Sequence, residues 1–302
     1  MAADLPRFVR RQRRVVLPLF AAIAVVGAVA VVPADVQLGL LAAAVVTGLP
    51  HGALDGRAGR ALLTPLGGER WLAPFAAGYG ALAAATLLLW LAAPELALVG
   101  FLALAAVHFG EGERWSARSA MGAAPFVAAA LGQGDALTPL FAALAGPASA
   151  ARVVALLAGP VALAWLGCLV REGVRGLAPE RAVEIAAVAA MFAAAPPLVA
   201  FAAYFALLHA PRALVEEAGD DLLGALREAA PFTALALLGG AALWWAQPAG
   251  TPGDTAVRTV FQLLSALTVP HMALAIALQG RAAGQGRSNS AERAFLRLQP
   301  RR

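Results

Sequence analysis

Residues 15–32 read Val-Val-Leu-Pro-Leu-Phe-Ala-Ala-Ile-Ala-Val-Val-Gly-Ala-Val-Ala-Val-Val, a stretch without a charge directly behind Arg13 and Arg14. A membrane-spanning helix needs about 20 apolar residues, within a range of roughly 17–25. Similar stretches recur at about 36–55, 71–92, 95–110, 119–145, 151–170, 182–196, 197–211, 231–247 and 257–280. Counted with the first, they make ten candidate spans. Gly-Gln-Gly-Asp at 132–135 breaks the fifth, which reads as re-entrant, and Pro196-Pro197 alone divides the seventh from the eighth. Residues 1–32 also carry the features of a signal peptide, ending in Ala28-Val29-Ala30. The length of the run and the spans behind it fit a first membrane helix better.

Composition leads to the same conclusion. Of 302 residues, 61% are hydrophobic and 14% charged, and the mean hydropathy is +0.74. An ordinary soluble domain is about half apolar and about a quarter charged. So few charges cannot cover so much apolar surface in water, which excludes a soluble nucleotide-binding enzyme, a disulfide scaffold and a disordered chain. The apolar stretches are continuous and do not alternate, which argues against a β-barrel. The expected fold is all-α: one integral-membrane helix bundle over residues 1–302, with about 8–10 spanning helices.

All 23 basic residues are Arg, and the formal net charge is +5. The distribution of these residues is more informative than the total. Five precede the first span, Arg152 and Arg258 fall in alternate loops, and the other 21 all lie on one side. The positive-inside rule makes that side cytoplasmic. Both termini are then inside, with a basic N-terminus over 1–14 and a basic tail over 281–302, and the host bilayer is the cytoplasmic membrane. The Arg excess is read as loop charge, and no nucleic-acid partner is expected. Cys168 is the single cysteine and cannot form an internal disulfide. The loop 211–230 alternates leucines with acids and reads as an interfacial helix or a solvated connector.

The four histidines carry the functional argument. His51, His108, His209 and His271 each lie near the C-terminal end of an even-numbered span. Counted from the span starts, at about 1.5 Å per residue, they fall within about 4–5 Å of one depth. Ionisable groups inside a bilayer are costly and face the bundle interior or a cavity. Neutral imidazole is the commonest metal ligand and suits Zn, Cu, Fe and Ni. The four histidines are therefore candidate ligands of one shared ion. Leu-Pro-His-Gly-Ala-Leu at 49–54 is echoed by Val-Pro-His-Met-Ala-Leu at 269–274, and the prolines kink their helices beside the histidines. Asp55 is one turn after His51 and is the candidate carboxylate for its second N–H. Glu111, Glu113, Glu216 and Glu217 read as interfacial charges near Arg114 and Arg212. Tyr204 stands five residues before His209, about 140° round an α-helix, and is left outside the site.

Gly-Leu-Pro-His-Gly-Ala-Leu-Asp at 48–55, His-Phe-Gly at 108–110, Tyr-Phe-x-x-x-His-x-Pro-Arg at 204–212 and Pro-His-Met at 270–272 resemble the Brp/Blh family of integral-membrane β-carotene 15,15'-dioxygenases. The resemblance implies a non-haem Fe(2+) centre held by histidines, among them His51, His108 and His209. It implies cleavage of the central double bond of β-carotene by O2 to give retinal, and a rhodopsin as recipient. The third motif of that family continues His-x-x-x-His, but Ala213 stands in the second position here. Either His271 is recruited as fourth ligand, or three histidines and water serve, or the site is degraded; the depth of His271 favours recruitment. Phe101, Phe109, Tyr204, Phe205 and Phe261 are candidate liners of a substrate tunnel. The alternative functions are a catalytically impaired carotenoid- or retinal-binding homologue, a histidine-lined transporter of metal ions or protons, and a haem protein.

Overall fold

The computed structural model describes residues 4–110 and 114–298, with the side chains of residues 4, 66–67 and 282–298 left out of the description. Among the described residues there is no strand, and the chain is a bundle of α-helices. The N-terminal part runs α1 (Asp4–Gly27), α2 (Ala34–Gly52), α3 (Asp55–Gly67), α4 (Leu72–Ala92) and α5 (Pro94–His108). Five short or bent helices follow: α6 (Trp115–Gly122), α7 (Ala124–Gly132), α8 (Gly134–Ala145), α9 (Pro147–Leu156) and α10 (Ala162–Val174). The remainder is α11 (Pro179–Ala194), α12 (Pro197–Tyr204), α13 (Ala210–Ala218), α14 (Leu222–Ala246) and α15 (Pro252–Leu298).

All ten apolar stretches contain helix, but among the described residues fewer than eight to ten helices are long and apolar enough to cross a membrane. Six are: Ala34–Pro65, Gly68–Ala92, Pro147–Val174, Pro197–Ala218, Leu222–Ala246 and Pro252–Arg281. The pair α7 and α8, bent by 114° at Gln133, makes a seventh if it is one broken span. The fifth stretch thus breaks at Gly132-Gln133-Gly134. The α5 and α11 helices are too short, at 15 and 16 residues.

The first stretch differs from its reading. Instead of 15–32, the helix is Asp4–Gly27, so the arginines lie inside it and residues 28–33 form the turn into α2. Its buried stripe is Gln12, Val16, Phe20 and Ala24, at the i, i+4 spacing of one helix face. Val15 and Val25 point outward and are 68% and 69% exposed. The loop 211–230 also resolves differently. It is divided between α13 and the first turns of α14, where Asp221 caps the helix by accepting from Gly224 N–H at 2.8 Å. Leu222, Leu223 and Leu226 therefore belong to a long helix and form no separate interfacial one.

The centre of the bundle is built from Phe20, Leu41, Leu98, Met191, Tyr204 and Leu208, all nearly inaccessible. The α1 helix packs on α11, which packs on α7; α2 packs on α12 and α14, and α4 on α15 and α5. Close approach depends on small residues, as in membrane bundles generally. A Cβ at Gly27 would stand 2.6 Å from the Cα of Ala195, so α1 and the α11–α12 junction meet backbone to backbone. The outer surface stays apolar: Leu91 is 80% exposed, Leu163 72% and Trp245 86%. A bundle with this exterior is stable in lipid and not in water, which makes the chain a multi-pass membrane protein.

Candidate metal centre

Four helices bring the four histidines to one place. His51 sits in the last turn of α2, His108 ends α5, His209 closes a π turn between α12 and α13, and His271 lies inside α15. Ligand atoms of His51, His108 and His209 all lie within 4.8 Å of one another. The His271 ring joins them at 4.9 Å from His108 and 6.2 Å from His51. Residues separated by up to 220 positions in sequence thus converge, as the equal depths predict.

The spacing of the ring nitrogens fits an ion between them. Imidazole nitrogens bind a divalent metal at about 2.0–2.1 Å, so two ligands at a right angle stand about 3 Å apart. The Nε2 atoms of His108 and His209 are 3.0 Å apart. Without an ion that distance requires a proton shared between the rings; with one, both lone pairs have a partner. The Nδ1 of His51 donates to the Gly48 carbonyl at 2.5 Å. That bond selects the tautomer that leaves Nε2 as an acceptor. The donor set fits a borderline transition metal.

Asp55 differs from its reading. The expectation placed it on the same helical face as His51. In the structure α2 ends at Gly52 and α3 begins at Asp55, so the i, i+4 relation does not hold. The buried carboxylate instead accepts from His271 Nδ1 at 2.7 Å and from the Tyr79 hydroxyl at 3.0 Å. The carboxylate–histidine pairing that supports a metal ligand is therefore built on the fourth histidine. Tyr79 was missed in the sequence. The available signal was one of only two tyrosines, inside an otherwise apolar span.

Tyr204 is the second difference. Its ring lies 6.4 Å from that of His209 with an interplanar angle of 13°, so the two stack. The cause is the π turn Phe205–His209, in which Ala210 N–H bonds to the Phe205 carbonyl five residues back. In i→i+5 geometry residues five apart lie nearly one above the other, and the 140° estimate for an α-helix does not apply. Phe109 completes the packing, at 4.7 Å from His209 and 5.1 Å from Tyr204.

Of the acids, Glu216 and Glu217 are exposed, and Glu111 and Glu113 lie outside the described residues. The arginines they were assigned to pair elsewhere. Arg114 reaches buried Glu172 at 3.3 Å, and Arg212 reaches buried Glu184 at 2.5 Å.

A cavity of about 400 Å³ adjoins the centre, with His51, His108, His271, Asp55 and Tyr79 among its lining. The rest of the wall is almost wholly apolar, and includes Phe75, Phe101, Phe109, Phe205 and Leu263. Gly48 admits one of these rings: a Cβ there would stand 2.1 Å from Phe205, whose ring packs 5.8 Å from His51. Phe261 lines a second, smaller cavity, of about 70 Å³, which shares Phe101, Phe109 and Phe201 with the first. Among the expected tunnel liners, Tyr204 lines neither cavity.

No solved structure matches the chain. Among curated proteins it is 28% identical to the probable β-carotene 15,15'-dioxygenase Blh of Halobacterium salinarum, over 78% of this chain and 82% of that one. It is 31% identical to the β-carotene 15,15'-dioxygenase of the uncultured marine bacterium 66A03, over 78% of this chain and 90% of that one. The family model described as β-carotene 15,15'-dioxygenase matches residues 42–279, a stretch that contains all four histidines, Asp55 and Tyr79, and the chain belongs to that family.

Proposed function

We propose that this protein cleaves β-carotene at its central double bond with O2 to give two molecules of retinal, at an Fe(2+) ion held by His51, His108, His209 and His271. The observation that carries the reading is the convergence of three imidazoles within 4.8 Å beside a large apolar cavity. The names of the two relatives support the substrate and the bond cleaved. The reaction balances without a reductant: one C=C bond and the O–O bond break, and two C=O bonds form.

Iron bound by neutral imidazoles would supply O2 activation. The chain supplies the rest. Gly48 and Asp55 orient two of the imidazoles through their second nitrogens. The aromatic and aliphatic wall excludes water and gives a polyene only apolar contacts. Phe101, Phe109 and Phe205 stand where a rigid conjugated chain beside the histidines would lie. The outward-facing apolar side chains let a lipid-dissolved substrate reach the bundle from the bilayer. With the arginine distribution, the reading places the site toward the cytoplasmic side of the cytoplasmic membrane.

The test is expression in bacteria that accumulate β-carotene, with retinal and residual β-carotene quantified by chromatography beside a His51→Ala control. Retinal that depends on His51, together with iron in the purified protein and loss of that iron in the variant, is the expected result. Intact β-carotene in cells holding well-folded, iron-loaded protein would overturn the substrate. Retained iron in both His51→Ala and His108→Ala would overturn the site.

A further inference from the structure

The motif His-x-Pro-Arg at 209–212 contains two residues that the metal centre does not use, Pro211 and Arg212. The N–H of residue 211 would bond to the carbonyl of Leu207 in α-helical register, or of Ala206 in the π register that precedes it. Proline has no N–H, so one backbone donor is missing where the chain leaves the π turn that presents His209. A side-chain donor reaches that turn from another helix. The Nε2 of Gln12 on α1 donates to the Leu207 carbonyl at 2.6 Å and to the Leu208 carbonyl at 3.1 Å. Its Oε1 in turn accepts from Arg212 Nε at 2.7 Å. Arg212 Nη1 bonds to Glu184 Oε1 at 2.5 Å, and Arg13 Nε to Glu184 Oε2 at 2.5 Å. Gln12, Arg212 and Glu184 are all buried.

A polar residue on the buried stripe of α1 needs an explanation, since Val16, Phe20 and Ala24 continue that stripe with apolar side chains. A buried amide is costly unless its donors and acceptor are satisfied. Here both ends of the amide are bonded, and the donor end goes to the one turn whose geometry sets the direction of His209. We infer that Gln12 is a positioning residue for the metal centre: it donates to the carbonyls of the π turn, where Pro211 has no N–H to offer, and so holds the turn that aims His209 at His108 and His51. Arg212 and Glu184 hold the Gln12 amide in the required orientation. Gln12 precedes residue 42, where the family match begins; α1 therefore adds a support for the centre from outside the matched segment.

The inference rests on the reading of His209 as a ligand, and the experiment separates the two. Purified protein is loaded with Co2+ alone, and its binding affinity and visible d–d spectrum are recorded. His209→Ala must change both; if it changes neither, the reading of the centre fails and this inference fails with it. If His209→Ala does so, Gln12→Leu, similar in size but without a donor, is expected to weaken Co2+ binding about tenfold, as loss of a support behind a metal ligand does, and to alter the spectrum. Adding Pro211→Ala to Gln12→Leu restores a backbone donor to this turn and is expected to recover most of the affinity and the original spectrum. A Gln12→Leu protein with wild-type affinity and spectrum would overturn the proposal, as would failure of the Pro211→Ala rescue. Gln12→Met serves as a second variant. Misfolding of both, uncorrected by Pro211→Ala, would also overturn it and leave α1 a purely structural role.

Discussion

Asp55 Oδ1 and His271 Nδ1 lie 2.7 Å apart across 216 positions of sequence. The pair joins the start of α3 to the interior of α15, and it places a carboxylate behind the fourth histidine. A carboxylate partner fixes the tautomer of an imidazole and raises its basicity. Asp55→Asn is therefore expected to lower iron or cobalt affinity by about 10–100-fold. His271→Ala is expected to have at least as large an effect, and the double variant to add little. Metal titration of the purified proteins checks this, and full additivity would show that Asp55 acts elsewhere.

Ala213 gives a sharper test of His271. It lies one α-helical turn beyond His209, in α13. A histidine introduced there offers the ligand that the family pattern carries. Ala213→His is expected to restore metal binding and retinal formation to His271→Ala, and to change the parent protein little if His271 serves as the fourth ligand, as proposed. A large gain in the parent with no rescue of His271→Ala would show instead that the natural site is incomplete.

The cavity is open to a filling experiment. Gly80 on α4 and Gly239 on α14 both line it, and a Cβ at either meets nothing within 4 Å. Gly80→Leu and Gly239→Leu are expected to leave folding and metal content unchanged, since the Cβ meets no neighbour and the longer side chain has the cavity to enter. Retinal formation is expected to fall by about 5- to 160-fold, the rate equivalent of a penalty of 1–3 kcal/mol for overpacking a filled site. Unchanged turnover in both variants would place the polyene elsewhere.

Gly48 predicts the opposite pattern. Its Cβ would collide with the Phe205 ring beside His51. Gly48→Ala is expected to cost about 1–3 kcal/mol of stability and to displace Phe205. A lowered melting temperature in detergent checks it, and Phe205→Leu in the same chain should recover much of the loss.

Glu184 is a stability prediction. It is fully inaccessible and receives both Arg13 and Arg212. Removing one member of a buried ion pair costs about 3–5 kcal/mol, because the remaining charge is left without a partner. Glu184→Gln is expected to lower thermal stability by an amount in that range. A drop no larger than that of an exposed pair such as Arg57 with Glu228 would contradict the burial argument.

Much of this molecule was legible in its sequence. Long uncharged runs in a chain with few charges can only be helices in lipid, because a bilayer leaves no other way to satisfy the backbone. The breaks at 132–135 and at Pro196-Pro197 were legible too, since Gly and Pro act locally on the backbone. The four histidines were marked by their depth, which depends only on position along a helix of known rise. Span number was less legible. A run such as 182–196 is apolar enough to be noticed, but its helix, Pro179–Ala194, is too short to cross alone.

What the sequence by itself determined is therefore one-dimensional: class, depth, charge asymmetry and the identity of the converging residues. Rotational position about each helix was decided only by the tertiary structure. A uniform α-helical rise predicts depth well, but one π turn between Tyr204 and His209 changes the facing of everything beside it, and one break after Gly52 turns Asp55 from His51 to His271. The partners of buried polar groups were likewise set by packing. Nothing local to Gln12, Glu184 or Tyr79 names the carbonyl, guanidinium or carboxylate each one meets. Those pairings form because burial leaves every polar group in need of a partner, and the bundle decides which one lies within reach.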